Sequence, residues 1–229
     1  MSIADNIRSL KNETDKIKVQ LVAVSKTKPE EEIKEAYEAG QRVFGENMVQ
    51  ELVEKYEHLP KDINWHLIGH LQTNKVKYIA PFISMIQSVD SMKLLQEIDK
   101  HAQKNNRVID CLLQVYIADE ETKYGLGFDE VIELLRSEEY ANLSHVKIRG
   151  LMGIATNTDI EKQINDEFYE LKTFFDGIRQ SYFRKEPSFD VLSMGMSSDY
   201  KIAIEQGSNL IRLGSTIFGQ RVIKHWPNN

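Results

Sequence analysis

Short apolar segments alternate with longer amphipathic segments along almost the whole chain, and this alternation limits the folds available to it. Eight of the short segments have the length and apolar character of buried strands. The predicted strands are residues 20–25, 42–45, 64–69, 82–89, 108–116, 147–153, 189–192 and 210–214. Between them, apolar residues recur three and four positions apart, which predicts helices over residues 30–40, 47–57, 72–79, 91–104, 128–137, 161–184 and 198–206.

Strands that are separated by single helices pair in parallel, through crossover connections of one hand. Eight such units in 229 residues match a (β/α)8 barrel of the TIM type, whose usual length is about 250 residues. A doubly wound open sheet is the alternative α/β architecture. A further amphipathic helix over residues 3–14 precedes the first strand, and no Pro- or Gly-rich linker divides the chain. We therefore expect residues 1–229 to form a single domain.

Composition and charge exclude several classes of partner. The formal net charge is -6, and no basic stretch with interleaved aromatic residues is present, so a nucleic-acid partner is not indicated. No apolar run approaches membrane-spanning length, and the N-terminus is polar, so we expect a soluble, cytoplasmic protein without a membrane partner. The single cysteine, Cys111, cannot form an internal disulfide and lies in an apolar run that predicts burial.

Lys26 stands at the end of the first predicted strand, where α/β proteins bind their ligands. Pro29 and the acidic residues that follow it predict that a helix begins there, because proline suits a first helical position and acids suit the positive end of the helix dipole. Many lysines at strand ends are simply solvated, so position alone gives Lys26 no role.

Two loops near the C-terminus combine glycine with hydroxyl side chains. Residues 193–200 (SMGMSSDY) follow the seventh predicted strand, and residues 212–219 (RLGSTIFG) overlap the end of the eighth. Each loop leads into a predicted helix start, where backbone N–H groups are free to bind an anion. In TIM-type barrels these two loops frequently form a phosphate site. Either loop alone is compatible with ordinary helix capping, but the pair favours phosphate.

A phosphate site opposite Lys26 suggests a phosphorylated aldehyde that the lysine holds as an imine. Pyridoxal 5'-phosphate (PLP) is the commonest such ligand, and a sugar phosphate in an aldolase-type imine is the alternative. Arg212 lies within an apolar strand, where its charge requires a partner: either an acid on a neighbouring strand or a ligand in the barrel mouth. Asn47 either reaches the same mouth or caps the next helix.

His66 and His70 are four residues apart within a predicted strand. The further ligands that a zinc site needs are not present nearby in the sequence, so we predict no metal site. His66 is instead interpreted as a hydrogen-bonded interior residue.

Several segments together resemble the pyridoxal-phosphate homeostasis protein family, also called YggS-like proteins or proline synthase co-transcribed homologues. They are residues 23–29 (AVSKTKP), 44–51 (FGENMVQE), 65–75 (WHLIGHLQTNK), 150–152 (GLM), 192–199 (LSMGMSSD), 211–215 (IRLGS) and 218–221 (FGQR). They occur in the family's order across nearly the whole chain. Each segment alone is weak evidence for the family, but together the segments are highly specific for it.

The resemblance implies a barrel like the N-terminal domain of alanine racemase, with PLP bound as an internal aldimine on Lys26. It also implies positions for the remaining groups around the cofactor. The implied binding residues are Ser197, Gly214 and Ser215 at the phosphate, with Ser198 and Thr216 as second-tier candidates, Arg212 at the pyridine nitrogen and Asn47 beside the ring.

Racemase-like relatives carry a second, β-rich domain that supplies an opposing acid/base group, whereas only residues 219–229 follow the last predicted element here. An arginine at the pyridine nitrogen also disfavours protonation of that nitrogen and weakens the ring as an electron sink. We therefore expect a non-catalytic protein that carries or buffers PLP in vitamin B6 homeostasis, with PLP-dependent apoenzymes as candidate partners. The alternative is a fold-type III PLP enzyme with weak amino-acid racemase activity.

Overall fold

The computed structural model describes residues 2–120 and 124–220. Eight parallel strands form a closed barrel in sequence order, and the last strand pairs with the first. The strands are β1 (Gln20–Val24), β2 (Val43–Glu46), β3 (Asn64–Leu67), β4 (Met85–Val89), β5 (Ile109–Val115), β6 (Val146–Gly153), β7 (Val191–Ser193) and β8 (Leu210–Leu213). This confirms the predicted (β/α)8 barrel and excludes the doubly wound open sheet.

Helices follow the strands around the outside of the barrel. Within the described residues they are α1 (Ile3–Lys16), α2 (Glu30–Glu38), α3 (Val49–His58), α4 (Val76–Ile79), α5 (Met92–Lys104), α6 (Phe128–Arg136), α7 (Glu138–Ala141), α8 (Glu161–Tyr182), α9 (Tyr200–Glu205) and α10 (Ser215–Phe218). The predicted N-terminal helix is confirmed as α1. None of the helices that the structure describes combines the length and the apolar character needed to cross a lipid bilayer.

Two strand predictions began too early. β4 starts at Met85 instead of residue 82, because the amides of Phe82 and Ile83 both bond to the carbonyl of Ile79 and continue the turn after α4. β7 starts at Val191 instead of residue 189, because Phe189 closes a turn and stacks on Phe183 with ring centroids 4.2 Å apart. Ile83 and Phe189 are buried and Phe82 is partly buried, so apolar character alone misplaced the strand ends.

Three helix predictions differ in detail from the structure. Pro29 is the N-cap of α2, with φ -67° and ψ 159°, and the first helical residue is Glu30. The predicted helix over residues 72–79 consists of a 3₁₀ turn, Thr73–Lys75, followed by α4. The short helix α7 was not predicted; the hydroxyl of Ser137 caps it by accepting the N–H of Tyr140.

Arg221, from the last segment of the family resemblance, lies outside the described residues.

Helix α1 covers the seam where the barrel closes. It packs against β1, α2 and α10, and it buries Ile7 and Leu10. The helix that follows β8 within the described residues, α10, has only four residues, and α1 packs beside it. The main hydrophobic core lies between the barrel and the helices, and a smaller cluster of Met85, Leu112 and Met152 lies apart from it. Cys111 is buried in the main core, as predicted.

Gly150 allows β6 to bulge against β5. The register changes between Cys111↔Ile148 and Leu112↔Gly150, so Arg149 is the extra residue on β6. Gly150 has φ +155°, and a Cβ atom built on it would lie 1.7 Å from the carbonyl oxygen of Val191. Only glycine fits this close approach of β7 to β6.

We predict that Gly150→Ala strongly destabilises the protein, by more than about 3 kcal/mol, because β6 and β7 would have to separate. Gly177→Ala in α8 is the matched control, since a Cβ atom there has no neighbour within 4 Å. The control should gain about 0.5 kcal/mol or more through higher helix propensity. Equilibrium denaturant unfolding measures both changes, and equal stability of the two variants would contradict the prediction.

Candidate functional site

A cavity of about 390 Å³ opens at the carboxyl ends of the barrel strands. The six residues that the sequence predicted to bind a cofactor all line it: Lys26, Asn47, Ser197, Arg212, Gly214 and Ser215. Ser198, a second-tier candidate, also lines the cavity. The apolar wall of the cavity, which includes Ile68 after β3 and Ile154 after β6, was not predicted from the sequence. Their positions directly after barrel strands were the available signal.

Lys26 lies on a tight turn between β1 and α2, and its side chain is half-buried. The N–H of Ser25 still bonds to Gly45 of the neighbouring strand, which continues the sheet for one residue after β1. The N–H of Lys28 then returns to the carbonyl of Ser25 at 3.0 Å and closes the turn. Thr27 adopts φ +65°, in the left-handed region that threonine rarely occupies. The backbone therefore directs Lys26 to the cavity from a fixed turn.

A buried ionic cluster lies beneath this turn, and the sequence analysis gave its members no role. The ammonium group of Lys55 donates to the carbonyl of Ser25 at 2.7 Å, to Oε1 of Glu46 at 2.7 Å and to Oε1 of Glu51 at 2.6 Å. The hydroxyl of Ser25 donates to the same Glu46 oxygen at 2.6 Å. The spacing of Glu51 and Lys55, four residues apart on α3, was the signal available in the sequence.

Burial raises the pKa of Glu46 to about 7, although Lys55 and Ser25 favour the ionised form. The geometry shows where a proton would reside. Oε1 accepts both hydrogen bonds, whereas the buried Oε2 has no partner among the described residues. Glu46 therefore changes its charge near neutral pH.

The serine-rich loops after β7 and β8 are joined by Ser197. Its hydroxyl oxygen accepts the backbone N–H of Gly214 at 3.2 Å and that of Thr216 at 3.3 Å. Asp199 is the N-cap residue of α9, but its carboxylate bonds to the N–H of Met196 instead of to that helix. The backbone N–H groups of Ser198 and Ser215 make no hydrogen bond with another described residue. They remain available to an anion in the cavity.

Lys28 adds a second cation to the cavity wall next to these loops. Its ammonium group donates to the carbonyl of Phe218 at 2.9 Å and pairs with Glu32 at 3.2 Å. The first contact ties the turn after β1 to α10. Positive charge and backbone donors thus meet on one side of the cavity, which favours an anionic ligand group.

Arg212 is fully buried and is held by neutral partners. Its guanidinium donates to the hydroxyl of Ser193 at 2.5 Å and to the carbonyl of Gly153 at 2.9 Å. Among residues 2–120 and 124–220, no carboxylate accepts a hydrogen bond from it, but Asp199 exerts an electrostatic attraction that favours its charged form. Burial lowers the pKa of Arg212 to about 10, which leaves it charged at neutral pH.

A hydrogen-bonded chain extends from Arg212 across the barrel interior. Ser193 donates to Oε1 of Gln87 at 2.7 Å, and Nε2 of Gln87 lies 2.9 Å from Nδ1 of His66. Since the amide nitrogen donates, Nδ1 accepts and the His66 proton resides on Nε2. Burial lowers the pKa of His66 to about 4, so the ring is neutral. His66 is the hydrogen-bonded interior residue that the sequence predicted.

Asn47 lines the cavity and does not cap the next helix. The N-cap residue of α3 is Met48, and no side chain caps that helix. The backbone of Asn47 passes so close to Gly69 that a Cβ atom on the glycine would lie 2.4 Å from the Asn47 carbonyl oxygen.

His70 pairs with an acidic residue: its Nδ1 atom lies 3.0 Å from Oδ2 of Asp90. Among the described residues, no group of three or more His, Cys, Asp or Glu side chains could hold a metal ion.

Comparison with known proteins identifies the family. The sequence profile for the family described as "Alanine racemase, N-terminal domain" matches residues 1–222. The pyridoxal phosphate homeostasis protein of Aquifex aeolicus is 42% identical over 203 residues, which cover 88% of this chain and 87% of that protein. The chain belongs to the pyridoxal phosphate homeostasis protein family. The predicted resemblance is thereby confirmed.

Solved structures of the same family share the fold. PipY of Synechococcus elongatus, in the structure without PLP, is 37% identical and superposes with a TM-score of 0.88 over 95% of this chain and all of that chain. The structure of PipY with PLP bound, at 36% identity, gives a TM-score of 0.84 over the same shares of the two chains. Alanine racemase of Bartonella henselae gives 0.70 at 16% identity, over 95% of this chain and 58% of the racemase, which shows a common fold alone.

We predict that Glu46 makes stability depend on pH. Because the pKa of Glu46 in the folded protein, about 7, exceeds the ordinary 4.5, the folded state binds a proton more tightly than the unfolded chain. The resulting stabilisation is complete below the ordinary pKa and is lost as the pH rises through 7. Relative to Glu46→Gln, the wild type should lose up to roughly 3 kcal/mol between these values.

Glutamine keeps the acceptor oxygen of Glu46 and imitates its neutral form, so Glu46→Gln isolates the ionisation. Glu54→Gln, an exposed residue of α3, should leave the wild-type pH dependence unchanged. Urea unfolding across the pH series gives the three profiles. Parallel profiles for the wild type and Glu46→Gln would contradict the prediction.

Proposed function

We propose that this protein binds PLP without catalysis and carries or buffers it, with the cofactor held covalently by Lys26. One observation carries the proposal: a strand-end lysine and the two anion-binding loops meet in a single cavity. A family member of 36% identity has been solved with PLP bound, and the names of the relatives refer to PLP homeostasis. The proposal assigns the cofactor contacts to Lys26, Asn47, Ser197, Arg212, Gly214 and Ser215.

The donor set of the cavity fits the phosphate of PLP. Ser198 and Ser215 offer backbone N–H groups without protein partners, and Ser197 and Ser215 offer hydroxyl groups. Lys28 contributes a positive charge from the neighbouring turn after β1. A phosphate dianion is recognised in proteins by this combination of amides, hydroxyls and a cation.

Lys26 supplies the amine for the covalent link. When bound, PLP supplies an aldehyde, whose carbon forms a C=N bond with a neutral lysine amine while its oxygen leaves as water. Lys28 and Arg212 are further basic residues that line the same cavity. Since the link is reversible by water, it anchors the cofactor without consuming it.

Two features support binding without catalysis. The cavity lining within the described residues contains no carboxylate, histidine, tyrosine or cysteine that could exchange a proton with a substrate carbon. Arg212 remains charged at neutral pH, and a cation at the pyridine nitrogen opposes protonation of the ring. Both effects weaken the amino-acid chemistry that PLP enzymes perform.

As part of the same proposal, residues 1–229 form one cytoplasmic PLP-binding domain that exchanges its cofactor with PLP-dependent apoenzymes. The family relationship supports this assignment, since relatives named for PLP homeostasis align over almost the same length. The cavity opens at the barrel mouth, which is compatible with entry and release of the cofactor.

We predict that the wild-type protein, mixed with PLP, acquires a visible absorption band that borohydride abolishes permanently. Mass spectrometry of the reduced protein should locate the label at Lys26. Lys26→Ala should not acquire the band, whereas Lys34→Ala, an exposed lysine of α2, should behave like the wild type. A stable label on another lysine with Lys26 unmodified would contradict the proposal. A colourless protein with a bound sugar phosphate would favour the aldolase alternative.

The racemase alternative has its own test, motivated by the fold shared with alanine racemase. We predict that the PLP-loaded protein racemises alanine no faster than the Lys26→Ala variant mixed with PLP, as followed by chiral chromatography. An alanine racemase assayed in parallel verifies the sensitivity. Turnover at rates typical of enzymes, on the order of 1 per second or more, would exclude a non-catalytic protein.

A further inference from the structure

The turn that carries Lys26 is bound on both sides by the buried ionic cluster of Glu46, Glu51 and Lys55. On one side, Ser25 donates its hydroxyl to Glu46 at 2.6 Å, and its carbonyl accepts the ammonium of Lys55 at 2.7 Å. On the other side, the N–H of Thr27 donates to Oε1 of Glu51 at 2.6 Å. Lys26 is the one residue between these two attachment points.

The conformation of Thr27 requires such support. Its φ of +65° lies in the left-handed region, where a β-branched residue is sterically unfavourable. A residue keeps such a conformation only when the surrounding contacts hold it there. The bond from Thr27 to Glu51 joins a backbone N–H to a carboxylate, which makes it a charge-assisted hydrogen bond. It is the contact on Thr27 itself that opposes relaxation of the turn.

Lys55 connects the two attachment points. Each of its three N–H donors has an acceptor, on Ser25, Glu46 and Glu51, and its side chain is only 7% exposed. With its three donors directed to acceptors beneath the turn, the Lys55 ammonium is not positioned to meet an aldehyde in the cavity. The chain thus places one lysine under the turn as a fixed cation and another, Lys26, on the turn facing the cavity.

We propose that Glu51 and Lys55 are positioning residues that hold the Lys26 turn in the conformation that presents the lysine amine to the ligand. This inference rests on the proposed PLP-binding function and deepens it. Neither residue lines the cavity, so each acts through Ser25 and Thr27 and not by touching the ligand. Glu46 completes the cluster by accepting hydrogen bonds from both Lys55 and Ser25.

The decisive variant is Glu51→Ala, because Glu51 is partly exposed and its removal leaves the hydrophobic core intact. We expect its apparent affinity for PLP to fall roughly tenfold or more, as a lost charge-assisted hydrogen bond implies. Titration followed by the visible absorption band measures this affinity. Glu54→Ala, an exposed residue on the same helix, is the matched control and should bind PLP like the wild type.

Glu51→Gln separates positioning from general stability. Its amide oxygen can still accept the N–H of Thr27, so we expect its affinity to recover to within a few-fold of the wild type. Hydrogen exchange of the protein without PLP supplies a second measurement. The amides of residues 25–28 should exchange faster in Glu51→Ala than in Glu51→Gln or Glu54→Ala, while protection of the other barrel strands stays unchanged.

Lys55 is tested together with Glu46, since Lys55→Met alone leaves a buried carboxylate without its cation and endangers folding. The double variant Lys55→Met/Glu46→Gln removes both charges, and we expect weaker labelling of Lys26 with a cooperative unfolding transition preserved. Wild-type affinity and unchanged exchange at residues 25–28 in Glu51→Ala would overturn the inference. Absence of a PLP label on wild-type Lys26 would overturn the proposed function, while the exchange measurement would still decide whether the cluster holds the turn.

Discussion

The hydrogen bonds between β1 and β8 close the barrel, and the candidate site depends on that closure. Val22 is paired with Arg212 and Ala23 with Leu213, so the turn after β1 lies beside the loop after β8. Lys26 and Ser215 consequently line one cavity although most of the chain separates them in sequence. Closure of the barrel therefore brings residues that are far apart in the sequence into one site.

Buried polar groups fix the side chains that surround the cavity. Arg212 is oriented by a chain of neutral partners through Ser193 and Gln87 to His66, and the Lys26 turn is oriented by an ionic cluster. The two arrangements differ in their electrostatics. The neutral chain orients the guanidinium, and Asp199 adds an electrostatic attraction that favours its charged form, so Arg212 remains a cation at neutral pH. The ionic cluster joins one ammonium group, that of Lys55, to two carboxylates, so its net charge depends on the protonation of Glu46.

The sequence predicted the barrel because strand and helix periodicities differ, and it predicted the site because barrel ligands bind after the strands. Lys26 was singled out at the end of the first strand, Arg212 within the eighth strand and Ser215 in the loop after it, and all three line the cavity. The role of Lys55 was not predictable in this way. Its contact with Ser25 joins residues 30 positions apart, and only the packing of α3 against the barrel brings them together.

Errors at element ends had a related cause. Phe82 and Phe189 are apolar residues that the sequence assigned to strands, but both lie in turns that are buried by tertiary contacts. The bulge at Arg149 could not be predicted from the sequence either, because it depends on partners that are distant in the chain. The guanidinium of Arg149 donates to Asp110 on β5 and to Ser188 and Asp190 before β7. Burial can be read from residue type, whereas the conformation of a buried residue depends on neighbours that are distant in sequence.

The position of α1 over the closing seam has a consequence for folding. The strand β1 is synthesised before its partner β8, so β1 has an open edge until β8 has been made. Open strand edges invite pairing with other chains. Helix α1 is made before β1 and packs against it, so α1 can cover one face of that strand before β8 pairs with its edge. The same helix that completes the outer ring of the barrel can thus protect the nascent chain against aggregation.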